Sequence, residues 1–124
     1  MHRSRLAGFI IDCQTEGLEA AAGFWGSALG LQTRPLPGEA EYMQLVDPTD
    51  HLHIEVQSVS HPSRVHLDIE TDDIEAEVLR LERLGARRVA QIKTWWVMEA
   101  PTGQRFCVVR ASSSRFADES NLWP

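Results

Sequence analysis

The sequence predicts an α+β fold made of two βαβββ modules in tandem, and three observations carry that expectation. The apolar periodicity changes from two to helical and back to two, twice in the same order, along 124 residues. The two halves also align piece by piece: Leu18-Glu19-Ala20 with Ile74-Glu75-Ala76, Leu29-Gly30 with Leu84-Gly85, and Asp47-Pro48-Thr49 with Ala100-Pro101-Thr102. Finally, residues 65–85 read as a strand feeding an amphipathic helix. Val65, Leu67 and Ile69 alternate with His66, Asp68 and Glu70, and after the capping run Thr71-Asp72-Asp73 the set Ile74, Val78, Leu81, Leu84 recurs at helical spacing up to Gly85. Packing the helix stripe on the Val65, Leu67 and Ile69 face leaves His66 and Asp68 on the other side of the sheet.

In chain order, Leu6 to Cys13 reads as the first strand and Gly17 to Leu29 as a helix with Leu18, Ala21 or Ala22, Trp25 and Leu29 on one side. Strands follow at 31–35, 41–46 and 51–57, separated by Pro35-Leu36-Pro37-Gly38 and Asp47-Pro48-Thr49-Asp50. The second module repeats this with a strand at 64–70, a helix at 72–84, and strands at 87–93, 95–99 and 105–110. One domain over 1–111 is expected, with module one at about 5–58 and module two at about 63–111 joined through His61-Pro62-Ser63. The polar tail 112–124, with isolated Phe116, Leu122 and Trp123, is expected to fray or to pack on a neighbouring subunit.

Composition bounds the function. A hydrophobic content of 43% is enough for a substantial core, and a formal charge of -6 with scattered arginines argues against nucleic acid as a partner. The apolar run Leu6 to Ile11 is cut by Asp12 and is too short for a membrane span or a signal peptide, so a cytoplasmic protein with no membrane partner is expected. Cys13 and Cys107 sit apart in strand-like runs and read as buried, reduced thiols. Arg87-Arg88 follows a helix end, where cations suit the carbonyl pole. No serine triad, phosphate loop or dinucleotide fingerprint is present.

Phe24-Trp25, Leu29-Gly30-Leu31, Val65-His66-Leu67-Asp68, Leu84-Gly85-Ala86 and Pro101-Thr102-Gly103 with Phe106-Cys107 occur in an order and spacing that resembles the vicinal oxygen chelate superfamily, in its glyoxalase-like and bleomycin-resistance-like branch. The resemblance covers residues 5–111 and implies βαβββ modules whose mixed sheet curls into a cup around a small-molecule site, usually in a homodimer. It also implies metal donors on the first and last strands of each module. On the first strand the matching position is Gly8 or Phe9, neither a donor; on the fourth it is Glu55, which shares a face with His51, His53 and Gln57. In module two the matches are His66 and Cys107, where metal-using relatives commonly carry Glu, or Val108 after a one-residue slip.

The ligand-binding set expected from these readings is Glu55, His66, Asp68, Trp95, Trp96 and Cys107, with alternation sending only one of the two tryptophan rings into the cup. Glu55 is also the candidate catalytic carboxylate. A catalytic metal needs at least three protein donors, and His66, Glu55 and His53, or Cys107 in place of His53, would supply them for a divalent ion such as zinc. The missing first-strand donor favours a site without metal. The leading expectation is therefore a binding protein that sequesters a small aromatic or cationic molecule. The alternative is a metal-dependent lyase, isomerase or dioxygenase acting on a small oxygen-rich substrate.

Overall fold

The computed structural model describes residues 1–124, which form β1 (His2–Gln14), α1 (Leu18–Leu29), β2 (Gln32–Pro35), β3 (Tyr42–Val46), β4 (His53–Val59), β5 (Arg64–Thr71), α2 (Ile74–Arg83), β6 (Arg87–Ile92), β7 (Trp95–Glu99), β8 (Arg105–Arg110), α3 (Phe116–Glu119) and β9 (Asn121–Trp123). The fold is α+β, and the βαβββ order occurs twice. The chain divides into two compact units, Gly8–Val65 and Met1–Ala7 with His66–Pro124. No helix is long and apolar enough to cross a membrane.

In the first unit the strand order is β2-β3-β4-β1, with β1 parallel to β4 and the other pairs antiparallel. The helix α1 packs on this sheet. Ile11, Ala22, Leu45, Ile54 and Val56 form its core, with Phe9, Leu18, Ala21, Trp25 and Met43 at the margin. Ala22 and Gly26 are the helix residues buried against it, while Leu29, expected on the packed stripe, is half exposed. The helix ends there because Gly30, at φ 70°, turns the chain left-handed, a conformation only glycine adopts freely. Cys13 is half-buried; burial pushes its thiol up, more than the Trp25 contact lowers it.

The second unit repeats the pattern as β5-β8-β7-β6, with β5 parallel to β8. Val78, Leu81, Met98 and Val108 form its core with Ile69, Ile74, Trp96 and Phe106 around them. Asp73 caps α2 by accepting a hydrogen bond from the Ala76 N–H at 3.1 Å. The expected packing of Val65, Leu67 and Ile69 beneath the helix holds for Ile69 alone. The helix lies across β8 and β6, so Val65 and Leu67 on β5 remain 60% and 52% exposed. Leu84, past the last turn, is also exposed.

A polar residue occupies the α2 stripe instead. Glu77 is fully buried, its carboxylate accepting hydrogen bonds from Arg80 at 2.8 Å and meeting the His2 ring at 2.7 Å. Burial pushes this carboxyl up, and the Arg80 and His2 hydrogen bonds outweigh it, so it sits below the usual carboxylate range.

The tail, expected to fray or to pack on a neighbouring subunit, is ordered against its own chain. β9 pairs antiparallel with His2–Ser4 of β1, the Trp123 indole donates to Ser4 Oγ at 2.8 Å, and the Arg80 guanidinium stacks 3.9 Å from the Trp123 ring centroid. Glu70 Oε1 accepts the Ser112 and Ser113 N–H groups at 2.9 and 3.1 Å. The polar tail is held by hydrogen bonds and charge, which apolar periodicity does not register.

Candidate functional site

Each sheet has one face covered by its helix and one face free of it. In the first unit the free face carries Gly8, Ile10 and Asp12 on β1, His53, Glu55 and Gln57 on β4, and Gln44 on β3, by alternation against the core residues. Most of these groups have partners here. His53 Nε2 lies 2.5 Å from Glu55 Oε1, the Arg34 guanidinium donates to Gln44 Oε1 at 2.6 and 3.1 Å, and Asp12 has Arg64 at 3.8 Å and His61 at 4.0 Å. Of Gly8 and Phe9, the two first-strand positions that the resemblance matches to a metal donor, Phe9 packs with the core and Gly8 is on this face. A Cβ placed there would stand 1.8 Å from the His53 carbonyl oxygen, so β1 runs too close to β4 for any side chain.

In the second unit the free face carries His66, Asp68 and Glu70 on β5, Arg105 and Cys107 on β8, and Trp95, Val97 and Glu99 on β7. Asp68 and Cys107 are register partners across the parallel pair, and His66 precedes Asp68 by two residues on the same face. The ligating atoms of His66, Asp68 and Cys107 therefore converge, all within 4.8 Å of one another. All three residues are half-buried. Asp68 Oδ1 is buried without a hydrogen bond and lies 3.5 Å from His66 Nε2. A buried carboxylate oxygen left without a donor costs roughly 1–3 kcal/mol or more, which a bound ligand or cation would recover.

Of the two tryptophans, Trp95 faces this side. Trp96 is opposite Val108 in the ladder and packs with the α2 core beneath Arg88, 5.0 Å from its ring centroid, so it leaves the ligand-binding set. Alternation along β7 is the reason. The structure brings Cys107 and Asp68 to His66, while the sequence-predicted Glu55 and His53 are paired with each other on the first unit.

Two residues of this face were not singled out from sequence. Glu99 takes a bidentate contact from Arg87 at 3.1 Å and a hydrogen bond from Arg105 at 2.9 Å, and these two guanidiniums hold its carboxyl below the usual range. The signal was the Pro101-Thr102-Gly103 turn, whose hairpin register sets Glu99 opposite Arg105.

Comparison with known proteins agrees with this architecture. The family described as a glyoxalase-like domain matches residues 8–109. The chain belongs to that glyoxalase-like family. A hypothetical protein from Bacillus halodurans C-125 superposes with a TM-score of 0.61 at 12% identity, covering 88% of this chain and 96% of that one. Methylmalonyl-CoA epimerase from Mycobacterium tuberculosis gives 0.61 at 15% identity, covering 86% and 88%. A glyoxalase/bleomycin resistance protein/dioxygenase superfamily member from Vibrio splendidus 12B01 gives 0.56 at 16%, covering 87% and 99%. At these identities the likeness is one of fold. No match is found among curated proteins.

Proposed function

We propose that this glyoxalase-like chain binds a small oxygen-rich molecule on the free face of its second module, at the cluster formed by His66, Asp68 and Cys107. The observation that carries the reading is the convergence of an imidazole, a thiol and an unsatisfied buried carboxylate oxygen within 4.8 Å. Imidazole, thiolate and carboxylate together suit a borderline-soft divalent ion such as zinc, and three protein ligands are the number an open catalytic site uses. The residues present therefore fit such an ion without Glu55 or His53. When bound, it would act as a Lewis acid on a substrate oxygen. His66 and Asp68 would hold one side of the ligand, and the Trp95 ring would offer an apolar wall to a planar group.

A second reading, sequestration of an aromatic ligand without metal, is supported by the first module. There the donor position, Gly8 or Phe9, carries no ligating atom and the Glu55 carboxylate is met by His53.

Titration of the purified protein with cobalt(II) separates the two. The metal reading expects one equivalent to bind with a thiolate-to-cobalt absorption band that Cys107→Ser abolishes, and His66→Ala and Asp68→Asn to weaken binding at least tenfold while circular dichroism stays unchanged. Absence of the band in the wild type leaves the metal-free reading.

A further inference from the structure

The overall charge of the chain is -6, yet the Glu99 end of the second module's free face carries a local excess of positive charge. Arg87 and Arg105 stand at the Glu99 end and Lys93 at the Trp95 end, while Glu70 on the same face has its own partner in Arg5. Lys93 sits over the Trp95 ring, 6.0 Å from its centroid, and Arg87 and Arg105 share the single Glu99 carboxylate. Two guanidiniums on one carboxylate leave a net positive charge. The Arg87 fork is fully used, with Nε and Nη2 each on a Glu99 oxygen at 3.1 Å. Arg105 gives Glu99 only its Nε, at 2.9 Å, and both of its Nη groups are uncommitted. Its side chain is 33% exposed, so those donors are half-sheltered and their position is fixed by the Glu99 contact.

Arg105 precedes Cys107 by two residues on the same strand and the same face, which places the two Cα atoms about 7 Å apart. His66 and Asp68 stand on the neighbouring strand at the same level, because Leu67 pairs with Phe106 and Asp68 with Cys107. A ligand that reaches the cluster with one oxygen thus has a pre-oriented guanidinium one strand pleat away.

We infer that the ligand of this face is a small organic anion, a short hydroxy or oxo acid, and that Arg105 holds its carboxylate while its second oxygen reaches the His66, Asp68 and Cys107 cluster. The inference rests on the proposed function for the location of the site and adds the charge of the ligand and the residue that reads it. A guanidinium presents two parallel N–H donors to a carboxylate, whereas a neutral amide gains no charge-assisted bond, so the face discriminates by charge. Glu99 is the positioning residue: it anchors Nε and leaves the fork edge of Arg105 pointing to the ligand.

The test uses glycolate and its neutral analogue glycolamide, titrated into the full chain and followed by tryptophan fluorescence, with cobalt(II) binding measured in parallel. Glycolate should bind at least tenfold more tightly than glycolamide. Arg105→Gln should weaken glycolate about tenfold or more, leave cobalt binding unchanged, and remain folded, because Glu99 keeps its bidentate Arg87 partner. Arg105→Lys should restore part of the loss. Equal binding of the two compounds, or an unaltered glycolate affinity in Arg105→Gln, overturns the inference. Should Arg105→Gln lose glycolate while His66→Ala and Cys107→Ser bind it as the wild type does, the Arg105 anion site stands and the cluster reading of the proposed function is the part that fails.

Discussion

Gly8→Ala should be among the most damaging single substitutions available in this chain, although it adds one methyl group. The added Cβ would lie 1.8 Å from the His53 carbonyl oxygen, 2.6 Å from its carbon and 2.7 Å from its nitrogen. All three are backbone atoms, so no side chain can rotate away. Restoring ordinary contact requires β1 and β4 to separate by about 1.5 Å at this point. That opens the start of the parallel ladder, where Gly8 pairs with His53 and Phe9 with Ile54. Losing two ladder hydrogen bonds at about 1 kcal/mol each, with a further 1–3 kcal/mol of overpacking strain, gives a destabilisation of about 3–5 kcal/mol. For a domain of this size that corresponds to a fall in Tm of roughly 10–20 °C. Gly23→Ala supplies the control, because Gly23 lies within α1 and its added Cβ meets nothing within 4 Å. It should stabilise by about 0.5–1 kcal/mol through helix propensity. Urea and thermal denaturation followed by far-ultraviolet circular dichroism would measure both. A Gly8→Ala shift below about 1 kcal/mol would refute the close strand approach, and with it the steric reason that the first module has no donor on its first strand.

Three further outcomes follow from contacts elsewhere. Glu77→Gln leaves Arg80 and His2 without their buried carboxylate and should cost about 2–4 kcal/mol in urea denaturation. The Glu77 carboxyl is lowered in the folded state, so its contribution is complete above the unfolded value near 4.3 and is lost as pH falls through the folded value; the acid limb of the stability profile should be shallower in Glu77→Gln. Trp123→Ala removes the indole bond to Ser4 and the Arg80 stack, and should lower stability by about 2–3 kcal/mol and speed hydrogen exchange in residues 2–4, whereas a frayed tail would show neither change. A homodimer is the expected assembly, with a second copy covering the apolar β5 residues Val65 and Leu67, and Leu67→Glu should shift sedimentation toward the 14.0 kDa monomer; a wild type already monomeric at micromolar concentration would exclude it.

Much of the architecture was legible because alternation and helical spacing each report one buried face. His66 and Asp68 fell on the face opposite Ile69 as the pattern required, and the strands at 95–99 and 105–110 match their expected limits. What failed was coverage. Period two says that Val65 and Leu67 share a face with Ile69, but the direction in which α2 crosses the sheet decides whether anything lies over them. The β1 strand also begins at His2, four residues before the apolar run, because polar His2, Ser4 and Arg5 are buried by the tail and by Glu77. A buried polar segment held by distant partners leaves no trace in local hydropathy.

The site itself was half legible, and a comparison of the two free faces shows why. Each free face carries an alternation of ionisable side chains, and on the first, two of these groups are paired with each other or with a neighbouring strand. Gln44 accepts from Arg34 and Glu55 is met by His53, while Asp12 has Arg64 and His61 near its Oδ2 and keeps Oδ1 buried without a hydrogen bond. On the second, Arg105 keeps both Nη groups uncommitted and Asp68 Oδ1 is buried without a hydrogen bond, next to a thiol and an imidazole. Polar groups that satisfy one another stabilise a sheet and have little left for a ligand, whereas an unsatisfied acceptor beside an uncommitted donor carries a standing cost that binding removes. Sequence spacing cannot separate these cases, since His53-x-Glu55 and His66-x-Asp68 have the same form. The difference lies in the strand opposite: β8 places Cys107, rather than a donor, against Asp68, while the next pleat places Arg105 against Glu99. On the proposed reading the ligand is held from β8, and substitutions at Arg105 and Cys107 should alter its binding far more than stability.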